Sequence, residues 1–516
     1  MGKLYAYFVT RLIPRRENGK DQKHILKALW DLSWTQWSMV FLGWLAWTCD
    51  AMDFFSVSLS LPTLSKPEPV GFNRPTATLT NAITLTLLFR SVGAAIFGII
   101  SDRYGRKWPL VINLLLCSAL QIGASFCTSY RQFLAARSLF GIAMGGIWGL
   151  SVATALENVP VETRGFLSGV LQEGYAAGYL IAAVVNLDAV PHSSHSWRVL
   201  FWVSAGLSFF AACLRAILPE SALFLRAQEA KKIQKEKGIE GGVVTKSRTR
   251  IFIHETKEML RNYWLLSIYA ILLMSGFNFL AHGSQDLYPT YIQKNKLLSA
   301  SLANKATIIG NCGAIAGGAI AGSLSQYIGR RLSILLCCVC VCVFIPLWIL
   351  PSEFPGLAAG AFFIQLGVQG ALGVIPIYLN ELSPPAFRAT FPGVAYQIGN
   401  MVSSASARIE AVGGENLRTI VDGKNVPNYA KVQGIFIGVV TAFVIIVVFL
   451  GPENHASHFE KNRVAFEEGA ARNEACIDDG NGDPSSRDSS VGTDEKRADR
   501  RDTVMFALRL GYGCLE

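Results

Sequence analysis

Charge is what this sequence has least of. Asp, Glu, Lys and Arg make up 16% of its 516 residues, where a soluble chain carries about 25%. So few charges cannot cover a water-facing surface, which argues against the roughly three to four soluble domains that the length alone would suggest. The N-terminal residues lack an apolar core followed by a small-residue cleavage site, so no signal peptide is expected. Ala6 stands where a myristoylation signal needs Ser or Thr, and Cys514-Leu515-Glu516 is one residue short of a prenylation box. Membrane attachment is therefore expected from the spans themselves. No nucleophile–base arrangement, metal-ligand spacing or phosphate loop is evident, which excludes most enzyme classes. No cofactor or metal is expected. Cys337, Cys338, Cys340 and Cys342 share one apolar run without a His or acidic partner, so they read as small hydrophobes rather than as a soft-metal site.

What is present is apolar length. Hydrophobic residues reach 51% and the mean hydropathy is +0.34. Twelve apolar windows fall near 39–62, 79–101, 108–127, 131–154, 165–187, 197–217, 263–285, 301–323, 332–350, 355–379, 389–411 and 429–451. The expected fold is an all-α polytopic membrane protein. Its division is an N-terminal segment 1–38, a six-helix half 39–217, a basic central loop 218–262, a second half 263–451 and a disordered tail 452–516. Spans 7 and 11 are the least apolar of the set. The net charge of +10 lies between the spans, which excludes nucleic acid as a partner. Lys and Arg crowd the N-terminal segment, the 2–3 turn, the 6–7 loop and the 8–9 turn, so both termini are expected in the cytoplasm. The partners so implied are the lipid bilayer and, through lysines of the central loop and tail, ubiquitin-dependent turnover machinery; the chain reads as a monomer.

An internal repeat runs through the chain. Gly93 to Lys107 aligns with Gly317 to Arg331, and Glu157, Pro160 and Arg164 align with Glu381, Pro384 and Arg388, both at an offset of 224 residues. Two pseudo-symmetric six-helix halves follow, an arrangement that places substrate between repeats near the bilayer midplane.

The motif Gly98-x-x-x-Asp102-Arg103-x-Gly105-Arg106-Lys107 resembles the 2–3 loop signature of the major facilitator superfamily. Arg137-x-x-x-Gly141-x-x-x-Gly145-x-x-x-Gly149 resembles its span 4 signature. Glycines every fourth residue form a flat stripe on which a second helix can seat and slide. Gly98, Asp102, Arg103, Gly105, Arg106 and Arg137 are thus the candidate conformational latch, with Gln326 replacing the acid in the second half. Topology-setting charge and plain packing are the alternative.

Asn278-x-x-Ala281-His282-x-Ser284-Gln285-Asp286-x-x-x-Thr290 is similar to the span 7 signature of fungal Jen-type carboxylate/proton symporters, from which only Ala281 departs. That resemblance spans residues 25–455 and implies uptake of lactate, pyruvate or acetate, or of succinate or malate, across the plasma membrane. It also implies site roles for Arg90 in span 2 and for Gln397 and Asn400 in span 11.

Residue chemistry agrees with those roles. Asn278, His282 and Asp286 form one helical stripe, which lipid would penalise by about 2.5–3.5 kcal/mol per central charge. It should face a cavity. Arg90 can grip a carboxylate bidentately and keeps its proton. The substrate-binding set is therefore Arg90, Asn278, His282, Gln397 and Asn400; His282, Asp286 and Glu173 are the proton-coupling candidates. Asp50 or Asp53 could instead be Arg90's structural partner, and Glu173 a partner of Arg137. The aromatics from Trp34 to Trp47 read as an interfacial belt. Rival functions are a sugar carrier, for which Pro219-Glu220-Ser221 speaks, a sialate or aromatic acid carrier, and a nutrient sensor on a transporter scaffold.

Overall fold

The structure is a computed structural model and describes residues 25–67, 70–157, 159–220, 225, 248–383, 387, 390–421 and 423–453. Most of segment 1–38, most of loop 218–262 and nearly all of tail 452–516 lie outside the described residues. So do Arg388 of the repeat and the side chain of Asp102.

Among the described residues, eleven helices are long and apolar enough to cross a bilayer. They are Trp34–Leu64 (span 1), Asn81–Tyr104 (span 2), Lys107–Ser125 (span 3), Tyr130–Leu156 (span 4), Val161–His192 (span 5) and Arg198–Ile217 (span 6). The second half supplies Trp264–Lys294 (span 7), Ala300–Ile328 (span 8), Arg330–Ile349 (span 9), Phe354–Leu382 (span 10) and Tyr429–Leu450 (span 12). Span 11 comes in two pieces, Thr390–Ser403 and Ser406–Asn416, each too short to cross alone. Spans 4 and 7 are also interrupted, at Gly145-Gly146 and at Asp286-Leu287. A hairpin pairing Arg418–Val421 with Lys424–Pro427 joins spans 11 and 12.

Several helices outrun their apolar windows. The 31 residues of span 1 rise about 46 Å, against about 30 Å of hydrocarbon, so its ends stand in the interfacial layer. There Ser33 caps the helix: its Oγ accepts from the Gln36 amide while the Gln36 side chain accepts from the Ser33 amide. Trp34 is 84% exposed and fits the expected belt. Trp47 does not: it is 1% exposed in the centre of the molecule, because span 1 has spans 5, 6 and the second part of span 4 around it.

The offset of 224 residues becomes geometry. Gly105 and Gly329 close spans 2 and 8 with φ of 100° and 94°, a region that favours glycine. Arg106 then reaches Glu157 at 3.1 Å, and Arg330 reaches both oxygens of Glu381 at 3.0 Å. The Glu220 carboxylate accepts from the amides of Arg106 and Lys107, as the Glu453 carboxylate does from Arg330 and Arg331. Each acid caps the start of a helix, where unpaired N–H groups favour an anion.

Candidate functional site

Arg90 owes its depth to glycine. A Cβ at Gly145 would overlap the carbonyl oxygen of Arg90, and one at Gly93 would overlap that of Ile142. Span 2 therefore lies backbone-to-backbone on span 4. The Arg90 guanidinium, 1% exposed, donates through Nη2 to Asp50 Oδ2 at 2.6 Å and sits 5.9 Å from the Trp47 ring. The Arg90 Nε and the Asp50 Oδ1 have no hydrogen-bond partner among the described residues. Of Asp50 and Asp53, it is Asp50 that pairs with Arg90.

Arg137 is elsewhere than a latch would need. Its Nη1 donates to Gln121 Oε1 at 2.8 Å and its guanidinium lies over Phe140 at 4.1 Å. Gln121 in turn donates to Ser204 Oγ, and Asp53 accepts from Ser208. Arg137 belongs to this buried polar cluster inside the first half, and not to the 2–3 turn. Nor does it pair with Glu173, which packs against Gly318 of span 8. Of the other candidate latch residues, Arg103 lies over Tyr104 at 5.1 Å, and Gly98 looks onto Thr390. The Arg106–Glu157 pair ties together parts of one half. It is Gln326 and Arg330 that crowd Gly165 of span 5 across the divide.

On the second half the expected residues converge. His282 is 2% exposed; its Nδ1 meets Asp286 Oδ1 at 3.2 Å and its Nε2 meets Asn400 Oδ1 at 3.1 Å. Asn400 Nδ2 donates to Gln397 Oε1 at 2.6 Å, and Asn278 donates to the Tyr396 carbonyl at 3.1 Å. Spans 7 and 11 thus carry one hydrogen-bonded row. The imidazole touches an acceptor at either nitrogen, so a protonated ring satisfies both contacts and a neutral ring only one.

Between Arg90 and this row runs a chain of rings. Trp47 stacks on Tyr175 at 5.4 Å, Tyr175 meets Phe55 at 5.1 Å, Phe55 meets Phe54 at 5.2 Å, and Phe54 meets His282 at 5.5 Å. Tyr396 of span 11 stacks on Trp148 at 4.2 Å and edges onto Trp47. The guanidinium and the imidazole therefore lie at the two ends of one packed aromatic cluster to which both halves contribute. Contacts between the halves flank it on both sides. Toward the glycine turns, Ser168 of span 5 donates to the Gly373 carbonyl of span 10, and only a narrow crevice is left between Gly98, Gly149 and Gly393. At the opposite end Thr84 donates to the Ser404 carbonyl at 3.1 Å, and Arg408 to Asn81 at 3.3 Å.

Sequence reasoning missed Trp47, Phe54, Phe55, Tyr175 and Tyr396 as site components, and Glu410 altogether. A signal was available for one of them: Tyr175 lies two residues after the candidate Glu173 and stacks on Trp47, while Gln172 accepts from Trp148.

Twelve spans in two repeats, with polar side chains gathered between them in mid-membrane, define a multi-pass secondary transporter of the major facilitator type. The model of the "Sugar (and other) transporter" family matches residues 25–466. A carboxylic acid transporter protein homolog of Saccharomyces cerevisiae is 34% identical over 87% of this chain and 74% of its own. A cis,cis-muconate transport protein of Acinetobacter baylyi is 27% identical over 71% of this chain and 84% of its own. Among solved structures, the proton:xylose symporter XylE bound to 6-bromo-6-deoxy-D-glucose superposes with a TM-score of 0.66 at 16% identity, covering 83% of this chain and 98% of that one. That likeness speaks for the fold. The chain belongs to the sugar (and other) transporter family of the major facilitator superfamily, in its Jen-type branch; it is a membrane transporter and not an enzyme.

Proposed function

We propose that this transporter takes up small carboxylates together with a proton by alternating access, in the plasma membrane and with both termini in the cytoplasm. The observation that carries the reading is that the buried Arg90–Asp50 pair and the His282–Asp286–Asn400 row abut one aromatic cluster, from opposite halves. Asp50 occupies the guanidinium as a substrate carboxylate would. An arriving anion exchanges with it, and protonation in the region keeps the loaded site from becoming strongly negative. Gln397 and Asn400 offer amide groups to a carbonyl or hydroxyl of the substrate. The aromatic walls suit a short apolar body such as that of lactate, pyruvate or acetate, with succinate and malate as the dicarboxylate extension. Similarity to the yeast carboxylic acid transporter homolog and to the Acinetobacter cis,cis-muconate transport protein supports a carboxylate cargo.

The test is uptake of labelled lactate, succinate and glucose in cells that lack their own carriers, with and without an uncoupler and with sodium replaced. The expected result is carboxylate accumulation that the uncoupler removes and sodium replacement leaves alone. Glucose uptake without carboxylate uptake would make the chain a sugar carrier. No uptake of any of the three, with the protein at the cell surface, would favour a sensor.

A further inference from the structure

Glu410 is a buried acid that the reading above does not use. It lies on the second piece of span 11 at 0% exposure. Its Oε2 accepts from Gln433 Nε2 at 3.0 Å, and Gln433 Oε1 accepts from Trp348 Nε1 at 3.2 Å. Its Oε1 has no hydrogen-bond partner among the described residues. That oxygen is aimed at span 7: a Cβ at Gly283 would stand 3.0 Å from it. Gly283 is the residue after His282 and lies three before Asp286, whose carboxylate stands 3.2 Å from His282 Nδ1.

We propose that Glu410 is a proton-carrying residue that hands its proton to the Asp286–His282 pair from the side of the molecule opposite the glycine turns. An isolated carboxylate in an apolar interior is costly, and such a group takes up a proton instead. No cation among the described residues pairs with Glu410, and its carboxylate accepts a hydrogen bond from the Gln433 amide. The titratable groups that interact with it are Asp286 on span 7 and Tyr429 on span 12. Arg408 and Glu415 on its own helix and Lys424 on the hairpin are exposed. Glu410 feels the charge of Asp286, so in this assignment one proton passes between the two. The step balances simply: the Glu410 O–H bond breaks, an O–H bond forms on the Asp286 carboxylate, and the negative charge moves from Asp286 to Glu410. With Asp286 protonated, His282 loses its anionic partner and its row is free to rearrange around the substrate. This assignment rests on the proposed cargo only for the flux measurements.

The test uses full-length protein purified and reconstituted in phospholipid vesicles. Infrared difference spectra of wild type against Glu410→Gln at neutral pH are expected to contain the C=O band of a protonated carboxylic acid. In lactate-loaded vesicles, Glu410→Gln is expected to keep labelled-lactate counterflow within about threefold of wild type, while losing accumulation driven by an imposed pH gradient. Unchanged accumulation, or a difference spectrum without that band, overturns the assignment. If Glu410→Gln does not fold, Glu410→Asp decides: a shifted pH profile of accumulation supports the proposal, and a wild-type profile overturns it. Absence of counterflow in wild-type vesicles would sink the carboxylate reading, while the infrared comparison still decides whether Glu410 holds a proton.

Discussion

At the end that carries the glycine turns, Arg106 in the first half and Arg330 in the second hold matching acids, and Glu220 and Glu453 cap matching helices. In mid-membrane the same offset joins unlike residues: Arg90 falls opposite Ala314, and the His282–Asn400 contact lies wholly in the second half. The frame is duplicated and the chemistry is not. A carrier of this build needs two bodies that hinge alike, so their ends stay similar. It needs one asymmetric ligand held between them, so their middles diverge.

The largest effect should come from the second half. Asp286→Asn keeps the size of the side chain and removes its titration; concentrative uptake is expected to vanish while exchange of substrate down its gradient persists. Accumulation at the wild-type level would take Asp286 out of the coupling path. Next, Arg90→Lys replaces a planar fork by a point charge. Loss of a charge-assisted hydrogen bond of about 1.5–3 kcal/mol predicts an apparent affinity lower by about 10- to 100-fold, read as KM for labelled lactate. An unchanged KM would remove the bidentate grip on which the division of labour depends.

The two ends can be weighed against each other as well. Arg330 is wholly buried on a bidentate acid, whereas Arg106 is partly exposed on one oxygen. Arg330→Ala is expected to cost about 3–5 kcal/mol by stranding Glu381, and Arg106→Ala about 1 kcal/mol. Thermal unfolding in detergent compares them, and equal losses would mean that the halves are more alike than their burial suggests. The smallest effect is expected for Asp50→Asn. With its competitor neutral, Arg90 should bind substrate a few times more tightly, about 1 kcal/mol, and release it more slowly, lowering KM and turnover together.

Much of this molecule was legible in its residues. Apolar windows gave the twelve spans, and the offset of 224 residues gave the halves, because burial in lipid and a repeated fold both leave local marks. The row on spans 7 and 11 was legible through a motif. Arg90's partner was not fixed beyond Asp50 or Asp53, and the place of Trp47 was misread. Span 1 is buried on nearly every side from Met39 to Leu64, and a helix covered all round has no amphipathic period to reveal which face meets which neighbour. Glu410 was missed because it follows the break in span 11, beyond the motif residues. Arg137 was drawn to the latch by its place in a signature, although its own span puts it a helix length away from the 2–3 turn.

The break at Ser404-Ala405 carries one more consequence. It releases the Ser404 carbonyl from its helix, and Thr84 of the other half supplies the missing donor. Pulling the halves apart there strips that oxygen of its partner, at a cost of about 1–3 kcal/mol if it stays dry. Hydration of the mouth and its parting are thus a single cooperative event: the door unlatches as its hinge is wetted.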